Sequence, residues 1–225
     1  MGQGISEILT FAIGVAISPA AIIAVILMLF SQRARVNGPL FLAGWVVALG
    51  VLAAVVYAIS DQSNAATSNS SSDSVSWLKI VLGVSFLLLA RREWRNRPAP
   101  GAEPETPKWM RGIDTFTPAR ALGLGALLGA LNPKNLFLGI GAAAGLAQLG
   151  LSTADAVVSL IVFVGVGSLT IAGPVVYYLL GGERARAELD ELKGFLRLHN
   201  DAVMAVLFLV LGVALIAKGL APLTK

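Results

Sequence analysis

Between residues 121 and 147 the chain carries a single charge, Lys134, and it stands mid-run beside a proline, in "ALNPKNLF" at residues 130–137. An apolar stretch of that length can cross the roughly 30 Å of a bilayer's hydrocarbon core, for which about 20 helical residues suffice. Within hydrocarbon every backbone polar group must be satisfied internally, which restricts spanning structure to helices and closed barrels. A proline, two asparagines and a lysine at the centre of such a segment need a physical reason.

Five further apolar stretches accompany it, at residues 8–30, 39–59, 75–90, 156–180 and 202–217. With 56% hydrophobic and 13% charged residues, and a mean hydropathy of +0.78, the chain lies outside the soluble globular range. The expectation is an all-α integral membrane protein with six transmembrane helices. Lys79 and Lys218 fall near the ends of the third and sixth stretches, where long side chains can snorkel to the interface. The first stretch lacks a basic leader and is read as a span. There is no cysteine, so disulfides and thiolate ligands are unavailable.

The basic residues set an orientation. Arg33 and Arg35 follow the first span; Arg91, Arg92, Arg95, Arg97, Lys108, Arg111 and Arg120 lie between the third and fourth; Arg184, Arg186, Lys193 and Arg197 precede the sixth. The alternate side has "SDQSNAATSNSSSDS" at 60–74, which contains no Lys or Arg. By the positive-inside rule the basic loops are cytoplasmic and both termini lie outside. The net charge of +4 therefore reports membrane topology, and no nucleic-acid partner is expected. Residues 183–199, with Leu189, Leu192, Phe195 and Leu196 on one face, are expected to form a helix lying along the cytoplasmic interface.

The chain divides into a first three-helix repeat (1–97), a cytoplasmic proline-rich linker (98–118) and a second three-helix repeat (119–225). Three spans, a cytoplasmic linker and three more spans make any duplication an inverted one. "ISPAAI" in the first span faces "LNPKNL" in the fourth, "VLGV" occurs at 81–84 and at 210–213, and "AVVYAI" in the second span parallels "PVVYYL" in the fifth.

Proline removes a backbone donor, so Pro19 frees the carbonyl of Val15 and Pro133 that of Gly129. Ser18 and Asn132 are good N-caps, each followed by proline at the favoured first helical position. The first and fourth helices are thus expected to be broken, each starting a new half-helix at mid-membrane. The two new N-termini carry partial positive charge, and Lys134 adds a whole one. An isolated lysine at that depth costs about 2.5–3.5 kcal/mol, so it should face a polar cavity. Ser18, Pro19, Asn132, Pro133, Lys134 and Asn135 are the candidate substrate-binding residues, forming an electropositive site for an anionic group. Gly125, Gly129, Gly141 and Gly145 flank the break with small-x-x-x-small spacing. Ser159, Ser168, Thr170 and Tyr177 could line a path but read first as helix-packing hydroxyls.

No paired carboxylates, Ser-His dyad, metal-ligand cluster or phosphate loop can be found, so neither an enzyme nor a cofactor is expected. Taken together, the six spans in two halves, the Ser-Pro motif and "NPKN" in the fourth span resemble the LysE-type exporter superfamily. Within it, the long central segment "ARREWRNRPAPGAEPETPKWMRGID" and the Ala/Gly/Val-rich spans are most similar to the GAP family of glycopeptidolipid- and sulfolipid-addressing proteins. The resemblance implies a protein of the bacterial plasma membrane that exports a complex glycolipid or helps to translocate it. Its partners would be that lipid, the bilayer, and a larger lipid exporter or a second copy of the chain. One alternative is export of a small solute, an amino acid or a metal ion; members that export amino acids usually show Pro-Gly-Pro where this chain has "ISPAA", which weakens the amino-acid case. A non-transporting accessory subunit of a lipid exporter is the other alternative.

Overall fold

The computed structural model describes residues 2–66, 71–97, 112–113 and 115–223, and the regular structure among them is helical throughout. Most of the proline-rich linker and part of the Ser/Asn-rich segment lie outside the described residues. Helix α1 (Gly2–Ala16) stops at Ile17 and Ser18, and α2 (Pro19–Phe30) departs at 55° to it. α3 (Ala34–Ala66) and α4 (Ser71–Asn96) follow. α5 (Pro118–Ala126) runs into a π turn (Leu127–Leu131), and α6 (Pro133–Ala147) begins after Asn132. The last helical stretch divides at Gly182, whose φ of +59° only glycine adopts without strain, into α7 (Thr153–Gly182) and α8 (Arg184–Ala221).

Both proline breaks therefore occur where the sequence places them. The amphipathic segment does not: residues from Arg184 onward continue without a break into the last apolar helix instead of lying apart from it. No glycine or proline separates Leu196 from Ala202, so nothing ends the helix there. Leu189 and Leu196 are buried in the bundle, whereas Leu192 and Phe195 stay exposed.

Among the described residues three helices, α3, α7 and α8, are long and apolar enough to cross a membrane, or four when the bent α1–α2 pair counts as one span. The other two expected stretches miss that measure for physical reasons. α4 combines its apolar middle with Lys79, Arg91, Arg92 and Arg95, and the stretch from Pro118 to Ala147 is cut into three pieces, each shorter than a span. The chain is a membrane protein whose described residues form helices and no strand. Its outer faces are apolar: Val47, Val51 and Val55 of α3 recur at one-turn intervals and are each more than half exposed. A surface of that kind suits hydrocarbon contact.

Without a hydrophobic drive between helices in lipid, close packing rests on small residues. α1 and α6 run antiparallel: a Cβ on Gly141 would meet Phe11 at 2.6 Å, and one on Gly145 would meet Glu7 at 2.6 Å. α3 and α5 run parallel: a Cβ on Gly125 would collide with the Phe41 carbonyl, and one on Gly129 in the following turn would meet the Trp45 carbonyl at 2.9 Å. α4 and α8 meet reciprocally at the two "VLGV" copies: a Cβ on Gly83 would meet the Gly212 carbonyl at 2.8 Å and Ile216, and one on Gly212 would meet the Gly83 carbonyl at 2.9 Å and Leu87. Each glycine thus touches its counterpart and the residue four positions beyond it.

Candidate functional site

The register of α1 against α6 brings the two breaks together. Gly14 lies against Leu138, one turn beyond Lys134, so the first turn of α6 sits beside the last turn of α1. The ammonium of Lys134, on a residue only 4% exposed, donates to the carbonyls of Gly14 at 2.7 Å and Ile17 at 2.7 Å, and more distantly to that of Val15 at 3.4 Å. The Thr170 hydroxyl of α7 donates to the carbonyl of Ala16. Ile13 is satisfied by the Ile17 amide. Every carbonyl from Ile13 to Ile17 is accounted for, including the one that Pro19 deprives of its donor.

A lysine in the first turn of a helix opposes that helix's own dipole. At Lys134 the neighbouring helix reverses the sign, because the charge is aimed at the carbonyl end of α1. The expectation of two facing N-termini weighs half of the breaks' charge; each break also creates a C-terminal end, and it is the end of α1 that the ammonium meets.

The second break is closed by the two asparagines. Asn132 caps α6, its Oδ1 accepting from the Lys134 amide at 3.0 Å, with Pro133 at the first helical position. Asn135, fully buried, donates from Nδ2 to the Leu128 carbonyl at 2.9 Å. That carbonyl lies in the π turn, whose widened ladder is a common device near functional sites. Ser18 is buried at the N-cap of α2, but its side chain makes no capping bond; its carbonyl alone accepts, from the amides of Ala21 and Ile22. Pro19 is buried, and Pro133 is exposed.

Around the breaks three buried side-chain atoms have no hydrogen-bond partner: Trp45 Nε1, Asn135 Oδ1 and Ser168 Oγ. Their helices converge here. Trp45 touches Gly129 of the π turn, and Gly167, beside Ser168, lies against Val15 and Leu49. Buried polar atoms are seldom left open, and these comprise a donor, an acceptor and a group able to be either. An apolar groove of about 600 Å³ reaches the same region from the lipid side, between α1 and α8, with Ile17, Ile13, Thr10, Val203, Val206 and Val210 among its walls.

Thr170 bonds across two helices as a packing hydroxyl does, and its place at the end of α1 had no signal in the sequence; nor had that of Trp45. A second polar cluster was also missed. Lys79 of α4 pairs with Glu7 of α1 at 2.7 Å, and Lys218 of α8 approaches the same carboxylate at 3.4 Å, so the two lysines tie three helices together. Opposite charges near the ends of three apolar stretches were the available signal.

No curated protein and no solved structure matches the chain. A family does, along almost the whole length from residue 8 to residue 221. The chain belongs to the family described as Sap, sulfolipid-1-addressing protein.

Proposed function

We propose that the protein moves a sulfated or otherwise anionic glycolipid across the bacterial plasma membrane, with the paired breaks as its substrate site. Family membership supports the lipid class, since relatives are described as addressing a sulfolipid. The observation that carries the mechanism is Lys134, a cation with no carboxylate partner among the described residues, held by neutral carbonyls at a helix end. A sulfate or phosphate competes well for such an ammonium, because charge-assisted pairing exceeds bonding to neutral groups. Its arrival would release the end of α1 and free the 55° joint with α2 to change angle. The head group's hydroxyls would engage Trp45, Asn135 and Ser168, while acyl chains lie in the groove between α1 and α8. Ser18, Pro19, Asn132 and Pro133 shape the site without carrying charge.

In this reading six helices span the membrane, with both termini outside, as two inverted repeats. The reciprocal contact of Gly83 and Gly212 supports that symmetry, and a distant relation to LysE-type exporters goes with it. The test is the appearance of the glycolipid in the outer envelope of cells producing Lys134→Gln or Lys134→Ala at wild-type protein level. Loss of export is expected; wild-type export by both variants removes Lys134 from the mechanism.

The saturation of the ammonium favours a second reading, in which Lys134 only braces the fold and the chain is an accessory subunit of a larger lipid exporter. Purified protein in liposomes discriminates. Translocation of an anionic glycolipid by the protein alone supports the first reading, and translocation only with a partner supports the second.

A further inference from the structure

We propose that the C-terminal end of α4 and the facing stretch of α8 form a binding site for an anionic phospholipid of the surrounding bilayer, separate from the breaks. Two adjoining concavities meet there. One, of about 500 Å³, is a nearly apolar slot between the helices, walled by Leu87, Ala90 and Trp94 of α4 and by Ala205, Val206 and Leu209 of α8. The other, of about 490 Å³, is polar and is formed by Arg91, Arg92 and Arg95 with Leu88 and Asn96. Arg91 lines both. The junction therefore offers a hydrocarbon-sized slot that opens directly onto three guanidinium-bearing residues.

None of these three arginines makes a salt bridge among the described residues; Arg92 acts on Glu93 only at longer range, and Glu93 and Asp201 line neither concavity. Trp94 stands at the junction, half exposed, with the Arg97 guanidinium over its ring at 4.0 Å. A tryptophan so placed marks the level of lipid head groups. An apolar peptide would fill the slot and leave three guanidiniums against the single carboxylate, Glu93, that Arg92 feels at longer range; an inorganic anion would neutralise them and leave the slot empty. A phospholipid with one acyl chain in the slot and its phosphate at Arg91 and Arg92 satisfies both. The orientation proposed above makes this the cytoplasmic leaflet, and the binding itself does not depend on Lys134 or on export.

The test is native mass spectrometry of the purified, delipidated protein titrated with phosphatidylglycerol or phosphatidylcholine. One tightly held phosphatidylglycerol is expected. Attraction to anionic lipid falls roughly fivefold per basic residue removed, hence on the order of a hundredfold for R91Q/R92Q/R95Q. A205W, which fills the slot and leaves the charges, should lose the same lipid, whereas R33Q/R35Q, which removes two arginines from a different loop, should retain it. Equal binding of phosphatidylcholine, retention by either site variant, or displacement by equimolar inorganic phosphate would overturn the proposal. Loss of binding with intact export, or the reverse, separates this site from the one at the breaks.

Discussion

Replacing Lys134 by methionine preserves the length and most of the volume of the side chain and removes three N–H donors. Two of them make 2.7 Å bonds to the carbonyls of Gly14 and Ile17, and the third is longer. A hydrogen bond involving a charged group contributes about 1.5–3 kcal/mol net, so the two short ones together set a loss of about 3–6 kcal/mol. The carbonyls left behind are buried at a helix end, and no other donor on the described residues bonds them. The assay is unfolding of purified protein by titration of sodium dodecyl sulfate into mixed micelles, compared with Arg33→Gln on the exposed surface, where a change within about 0.5 kcal/mol is expected. Were the ammonium instead free in an aqueous cavity, methionine would be neutral or stabilising. A Lys134→Met protein within about 0.5 kcal/mol of wild type refutes the reasoning that this lysine closes the end of α1.

Further outcomes follow from the same packing. Thr170→Val removes the donor to the Ala16 carbonyl and should cost about 1 kcal/mol in the same titration; combined with Lys134→Met it should depart from additivity, since both side chains close one helix end. Gly125→Ala places a Cβ 2.0 Å from the Phe41 carbonyl, whereas at Gly123 a Cβ meets nothing within 4 Å. The first should cost about 3 kcal/mol or more, and the second should be neutral or gain up to about 1 kcal/mol, both read as surviving folded fraction after detergent extraction. Glu7→Gln strands Lys79 and Lys218; because these side chains retain some exposure, the cost should lie near or below the lower end for buried pairs, about 2–3 kcal/mol, and Lys79→Met in the same background should recover part of it.

The breaks were legible in the sequence because proline chemistry is local: Pro19 and Pro133 cannot donate, and a Ser or Asn before each predicts a new helix start. That the breaks face one another followed from the antiparallel course of the first and fourth spans, and the spacing of Gly141 and Gly145 admits a close neighbour without naming it. What each group faces was not legible. The sign of the field at Lys134 depends on whether an N-terminus or a C-terminus of the neighbouring helix lies beside it, and that is decided by the antiparallel register of α1 on α6, a long-range fact. Thr170 and Trp45 enter the site by the same tertiary route. The continuation of the amphipathic segment into α8 was missed for the opposite reason: a polar-to-apolar change in composition suggests a boundary, yet only a residue such as Gly182 that breaks the backbone creates one.

The two interrupted helices touch at their breaks, and Lys134 holds them there. The absence of native cysteine makes one pair decisive: Gly14→Cys with Leu138→Cys, since a Cβ added at Gly14 of α1 would lie 3.0 Å from the Leu138 side chain of α6, with the shortened residue 138 making room for the new thiol. In native membranes treated with copper phenanthroline this pair should form a disulfide rapidly, and adding Lys134→Met should slow it severalfold. A pair that does not cross-link, or one whose rate is indifferent to residue 134, contradicts the claim.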